Sequence, residues 1–159
     1  MTASDDNIRA RTLKVATDYL TLIGKGDWDA WTDLWAEDGE LEFPYAPPGR
    51  QSIYRSKVEI RDYMIAASGK MAMEGAPQMR IHTPVDPNVA IVELTIPGKA
   101  VATGISFTQR YVIVFELKGG KLWRFREYWN PLVSIAAFGG GDLDAWASRF
   151  GKPAPEATA

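Results

Sequence analysis

A chain of 159 residues with a formal charge of −2, one histidine (His82) and no cysteine suits a single domain and excludes disulfides, thiolate chemistry and a three-histidine metal site. Charges are mixed rather than gathered into basic runs, which argues against a nucleic-acid surface, and no apolar stretch reaches the ~18 residues of a membrane span. The polar start, MTASDDNIRARTLK, does not read as a secretory signal, so the expected location is the cytoplasm, with no membrane partner.

In chain order, Ser4, Asp5 and Asp6 can cap a first helix, along which Ile8, Leu13, Ala16, Tyr19, Leu20 and Ile23 recur at helical spacing. Gly24 and Gly26 end it. Asp27 caps a short second helix whose Trp28, Trp31, Leu34 and Trp35 share a face. From Gly39 to Tyr45 the pattern alternates as in a strand, with Leu41, Phe43 and Tyr45 opposed to Glu40 and Glu42. APPGRQ reads as a loop. Ser56 and Glu59 form a capping box that opens a third helix, ending near Gly69.

The period then changes from helical to strand-like. QMRIHTPV, NVAIVELTI, GISFTQRYVIVFELK and KLWRFREYW read as four strands of an antiparallel meander, with turns at Asp86-Pro87-Asn88 and Gly119-Gly120. Pro97-Gly98 reads as a turn or a bulge. Asn130 and Pro131 start a short helix that Gly139 stops. A last helical piece is expected from Asp142, in a single domain of residues 1–151 followed by a flexible tail at 152–159. Three helices followed by a bent antiparallel sheet make an α+β domain. Its expected form is a cone-like curved sheet covered by the N-terminal helices around an apolar pocket.

The chain carries no GxGxxG, GxxxxGK[ST] or GxSxG pattern, so no nucleotide cofactor and no serine triad is expected. What stands out is an acid among aromatic rings. Strand alternation from Lys121 to Trp129 puts Trp123, Phe125, Glu127 and Trp129 on one face and Arg124 and Arg126 on the other. Glu127 is then either paired by an arginine of another strand, such as Arg80 or Arg110, or is the working group of a pocket. Unpaired, its pKa should rise above the ordinary value of about 4.3. His82, Glu42 and Glu93 read first as solvated or paired groups.

GDWDAWTDLWAEDGELEFP resembles the opening of the nuclear-transport-factor-2-like superfamily, which includes the SnoaL-like polyketide cyclases and the ketosteroid isomerases. IVELTIPGKA and FTQRYVIVFELKGGKLWRFREYWNP are similar, in order and spacing, to the phenazine-biosynthesis A/B branch. The resemblance spans roughly residues 8 to 140. It implies a cone-like α+β fold, a homodimer, and a cofactor-free pocket for a flat hydrophobic small molecule. The implied enzyme class is an isomerase, cyclase or dehydratase that moves protons beside a carbonyl. In the phenazine branch the acid of the last strand falls on Glu127, while its histidine and serine fall on Tyr63 and Ala67. The oxyanion tyrosine of the ketosteroid isomerases falls on Tyr19, their base on Phe43 and their protonated aspartate roughly on Tyr111.

The candidate catalytic residues are therefore Glu127, Tyr19 and Tyr111, and no metal or cofactor site is expected. The candidate substrate contacts are Trp35, Phe43, Tyr45, Tyr63 and Phe107, with Gln109, Trp123, Phe125 and Trp129. Epoxide opening by Glu127 with Glu93, and a non-catalytic binding module, are the alternatives. The expected partners are the small-molecule substrate and a second copy of the chain.

Overall fold

The computed structural model describes residues 3–142 other than 48, and residue 144. The helical piece expected from Asp142 and the tail at 152–159 fall almost wholly outside them. Helix α1 (Ala3–Lys25) is followed by α2 (Trp28–Thr32), β1 (Trp35–Glu42), β2 (Ile53–Arg55), α3 (Lys57–Ser68) and β3 (Met71–Met73). Then come β4 (Gln78–His82), β5 (Val89–Ala100), β6 (Ser106–Lys118), β7 (Lys121–Trp129) and α4 (Pro131–Gly139).

All seven strands join one curved, unclosed sheet in the order β2-β1-β7-β6-β5-β3, with β4 also on β5. The sheet is mixed rather than purely antiparallel, because β1 runs parallel to β7, with Leu41 beside Phe125. Trp35 belongs to this strand and not to α2. The Leu122 backbone N–H donates to Leu34 O at 2.8 Å, so pairing with β7 captures the chain before the helix can extend. The same pairing ends at Glu42, which leaves Phe43 and Tyr45 in the loop. Gly39 sits where β1 shifts register, and a Cβ there would approach Trp35 to 2.9 Å.

The short strands β2 and β3 carry too few residues to show a period. Pro97-Gly98 is neither turn nor bulge: β5 runs straight through it, with Pro97 opposite Thr108 and Gly98 opposite Phe107. On its other side β5 changes partner there, from β4 at Thr95 to β3 at Gly98. Proline lies in the gap, where its missing N–H breaks no continuous ladder.

Three of the caps follow the sequence signals, whereas Ser4, Asp5 and Asp6 lie inside α1, in its first turn, rather than before it. Asp27 accepts from Ala30 N at 3.1 Å, Ser56 from Glu59 N at 3.4 Å and Asn130 from Leu132 N at 3.0 Å. The capping box is only half formed, since Glu59 accepts instead from Arg55 N at 2.7 Å. One face of α1 packs Val15, Ala16 and Tyr19 onto the sheet, where they join Trp31, Trp35, Leu41, Phe115 and Phe125 in the core. That core fills one end of the concave face. The other end stays open.

Candidate active site

At that open end a cavity of about 200 Å³ lies between the sheet, α1, α3 and α4. Helix α1 contributes Tyr19, Leu20 and Ile23, and α3 contributes Tyr63, Met64 and Ala67. From the sheet come Leu94 and Ile96 of β5, Phe107, Gln109, Tyr111 and Ile113 of β6, and Glu127 and Trp129 of β7. The chain between β1 and β2 closes one side with Phe43, Pro47, Arg50 and Gln51, and α4 adds Ser134 and Phe138.

Glu127 is the one carboxylate, and Arg50 the one cation, lining this cavity among the described residues. Glu127 stands opposite Ile113 in the β6–β7 register. The arginines proposed as its partners lie elsewhere: Arg80 is opposite Glu93, and Arg110 is on the reverse face of β6 from Gln109 and Tyr111. No hydrogen bond or ion pair holds the Glu127 carboxylate among the described residues. Burial among apolar groups therefore opposes ionisation and pushes its pKa up to about 8. A carboxyl in this state is near half-ionised in the range where general acids and bases work best.

Four phenols, Tyr19, Tyr54, Tyr63 and Tyr111, line the same space. Tyr19, Tyr63 and Tyr111 all have pKa values raised first by burial, and Glu127 adds to the shift in each. They are neutral donors at any ordinary pH. Tyr19 is held rigidly, its ring stacked on Phe125 at 4.8 Å and edge-on to Phe115 at 5.4 Å. Its hydroxyl is buried and has no hydrogen-bond partner among the described residues. An orphan donor of this kind costs about 1–3 kcal/mol, which a ligand oxygen could recover.

Several expected contacts sit elsewhere. Trp35 and Phe125 belong to the closed core and do not line the cavity. Tyr45 is 60% exposed and meets Tyr128 instead. Trp123 is turned away by a register shift: Leu117 pairs with Leu122 but Glu116 pairs with Arg124, so Trp123 is the extra residue of a bulge. The parity of β7 reverses there, Leu122 becomes the core residue, and the Trp123 ring lies under Arg124 at 4.4 Å and Lys118 at 5.2 Å. Gln109 lines the cavity, but its amide is engaged: Nε2 donates to Asn130 O at 2.9 Å and Oε1 accepts from Asn130 N at 3.3 Å. Glu93 is 57% exposed and meets His82 Nε2 at 3.0 Å, away from the cavity. Glu42 is not among the cavity residues either.

Arg50, Gln51, Tyr54, Ser134 and Phe138 were not singled out from the sequence. The first two lie in a stretch that shows no period, Tyr54 lies on a three-residue strand, and α4 signals a helix without saying what it covers. Among the described residues no three His, Cys, Asp or Glu side chains cluster to hold a metal ion, and no helix is long and apolar enough to cross a membrane.

Residues 16–125 match the SnoaL-like domain. The chain belongs to the SnoaL-like family. It is 36% identical over 125 residues to the uncharacterized protein YesE of Bacillus subtilis, spanning 79% of this chain and 85% of that one. An uncharacterized PhzA/B-like protein of Pseudomonas aeruginosa is 32% identical over 126 residues, 79% of this chain and 89% of its own. Among solved structures, one from Bacillus subtilis described as a candidate isomerase superposes with a TM-score of 0.74 at 32% identity, covering 82% of this chain and 94% of that one. The epoxide hydrolase/cyclase-like SalBIII, of pyran ring formation in salinomycin, shares the fold at a TM-score of 0.60 and 18% identity, covering 76% and 92%.

Proposed function

We propose that this SnoaL-like protein is a cofactor-independent proton-transfer enzyme of the isomerase or cyclase type, acting on a flat, hydrophobic, carbonyl-bearing small molecule. One observation carries the reading: Glu127 is a carboxyl with no partner among the described residues, set in an apolar cavity lined by four neutral phenols. The substrate carbonyl accepts a hydrogen bond from Tyr19 or Tyr111, and ionised Glu127 removes a proton from the adjacent carbon. The phenol stabilises the enolate as charge develops. Protonated Glu127 then returns the proton to another carbon or to a departing oxygen. Isomerisation, aldol-type closure and dehydration differ only in where that proton goes. Names among the relatives and fold neighbours, an isomerase candidate and a cyclase-like enzyme, support the same class.

Epoxide opening by paired carboxylates needs a second acid in the cavity, and Glu93 stands outside it. The proton-transfer reading is tested by α-hydrogen exchange into a panel of flat cyclic ketones in D2O, followed by NMR. Wild type should exceed buffer, and Glu127→Gln should lose on the order of 100-fold or more. Binding of these ketones without any exchange above buffer would favour a non-catalytic binding module.

Assembly as a homodimer is also proposed. Val112 is exposed on the sheet face away from the cavity, and a monomer by sedimentation at micromolar concentration would reject it.

A further inference from the structure

Glu127 stands between two hydroxyl donors placed on opposite sides of it along the sheet. The β6–β7 ladder fixes the order: Phe125 is paired with Phe115, Glu127 with Ile113, and Trp129 with Tyr111. Alternation puts all six side chains on the concave face. The Tyr19 ring is stacked on Phe125 at 4.8 Å and edge-on to Phe115 at 5.4 Å, so it covers the cross-strand pair before Glu127. Tyr111 belongs to the pair after it. At ~3.3 Å per residue, each pair lies roughly 6–7 Å along the strand from the acid.

Both phenols lack a protein acceptor. Tyr19 is 2% exposed and lines the cavity, and its hydroxyl has no partner among the described residues. Tyr111 also lines the cavity and makes no hydrogen bond among the described residues. The floor between them is apolar, with Ile113 on β6 beside Val92 of β5 and Leu94 of β5 beside Tyr111. Gln109, the next polar side chain of β6 on this face, is already engaged by the Asn130 backbone. A ligand with one oxygen leaves one phenol unsatisfied, at the cost of an unmade hydrogen bond. A ligand with two oxygens, one on each side of the carbon that faces Glu127, satisfies both.

We propose that Tyr19 and Tyr111 act together, and that the substrate is a 1,3-dicarbonyl compound held with one oxygen on each phenol and the carbon between its carbonyls against Glu127. This rests on the proton-transfer reading above and narrows it to carbon acids activated from both sides. Ionised Glu127 takes a proton from the central carbon. The C–H bond breaks, and its electron pair spreads over both carbonyls as an enolate whose charge is shared between two oxygens. Each oxygen accepts from a neutral phenol while the charge develops. Burial raises the pKa of both phenols, which suits donors that keep their protons. Protonated Glu127 then returns the proton to carbon, so the step balances without a further reactant.

The test compares 2-acetyl-1-tetralone with its one-carbonyl isostere 2-isopropyl-1-tetralone, titrated calorimetrically at mildly acidic pH into wild type, Tyr19→Phe, Tyr111→Phe, the double variant and Glu127→Gln. Wild type should bind the dicarbonyl about tenfold or more tighter than the isostere, as expected for one further hydrogen bond to a buried donor. Tyr19→Phe and Tyr111→Phe should each weaken the dicarbonyl about tenfold, whereas no more than one of them weakens the isostere. The double variant should bind both probes equally, and a retained thermal unfolding transition shows that each variant is folded. Equal binding by wild type, failure of either probe to bind, or dicarbonyl affinity unchanged in either single variant overturns the proposal. If ketone exchange still depends on Glu127 in that case, the proton-transfer reading stands without it. A preference that needs both phenols, with exchange that does not need Glu127, keeps the two-oxygen site and overturns the proton transfer.

Discussion

Glu127 faces Ile113 directly across the β6–β7 ladder, so the cross-strand neighbour of the cavity's acid is an aliphatic side chain. Along β7 on the cavity side the next residue is Trp129, paired with Tyr111. Nothing along this ladder offers the carboxylate a counter-charge. Its protonation is therefore coupled to folding.

The folded pKa of Glu127, about 8, is raised above its unfolded value. Between the two, the folded state binds the proton and the unfolded state does not. Stability is fully present below the unfolded value and is lost as pH rises through the folded one. Relative to Glu127→Gln, wild type should lose a few kcal/mol, on the order of 3–4, between about pH 4.5 and pH 8. Urea unfolding of both proteins at a series of pH values checks it. Parallel profiles would contradict it.

Tyr19 separates stability from function. Its hydroxyl is buried without a partner among the described residues, so Tyr19→Phe should leave stability unchanged or raise it by about 1 kcal/mol. If the phenol binds the developing oxyanion, the same change should lower ketone exchange by about 10- to 100-fold. Thermal unfolding and exchange rates measured on one preparation give both numbers.

The bond pair between Gln109 and Asn130 ties β6 to the start of α4. Gln109→Leu removes both part-buried bonds to the Asn130 backbone and should cost roughly 1–2 kcal/mol. Because α4 carries Ser134 and Phe138 into the cavity, ligand affinity should fall as well. Denaturation and calorimetry check the two effects.

The two tryptophans near the ends of β7 should behave oppositely. Trp123 lies on the bulge against Arg124 and Lys118, so Trp123→Ala should cost about 1 kcal/mol or less and leave ligand binding unchanged. Trp129 lines the cavity, and Trp129→Ala should weaken an aromatic ligand about tenfold or more. Titration of one naphthyl probe into both variants decides it.

What the sequence displays is what periodicity and caps can carry. The long helices, the four long strands and the cap residues Asp27, Ser56 and Asn130 all announce themselves, and so does the odd acid at Glu127. Parity assigns faces only while the strand stays regular. It held from Phe125 to Trp129 and failed at Trp123, because a bulge is a cross-strand event that one strand does not record. The parallel partner of β1 is likewise a property of β7, which explains why Trp35 reads as helix. Arg50 reaches the cavity from a loop, where side-chain direction follows from tertiary packing and from no period. Glu127 could be placed on a face from the sequence, but not beside Ile113 rather than an arginine.

The central claim is that Glu127 is a desolvated cavity acid that titrates near neutral pH. The most direct measurement is binding of a fluorescent flat phenol across pH to wild type and Glu127→Gln. Affinity should change with a midpoint near pH 8 in wild type, and the change should vanish in the variant. Equal, pH-independent binding by both proteins would contradict the claim and leave Glu127 a structural residue of a binding pocket.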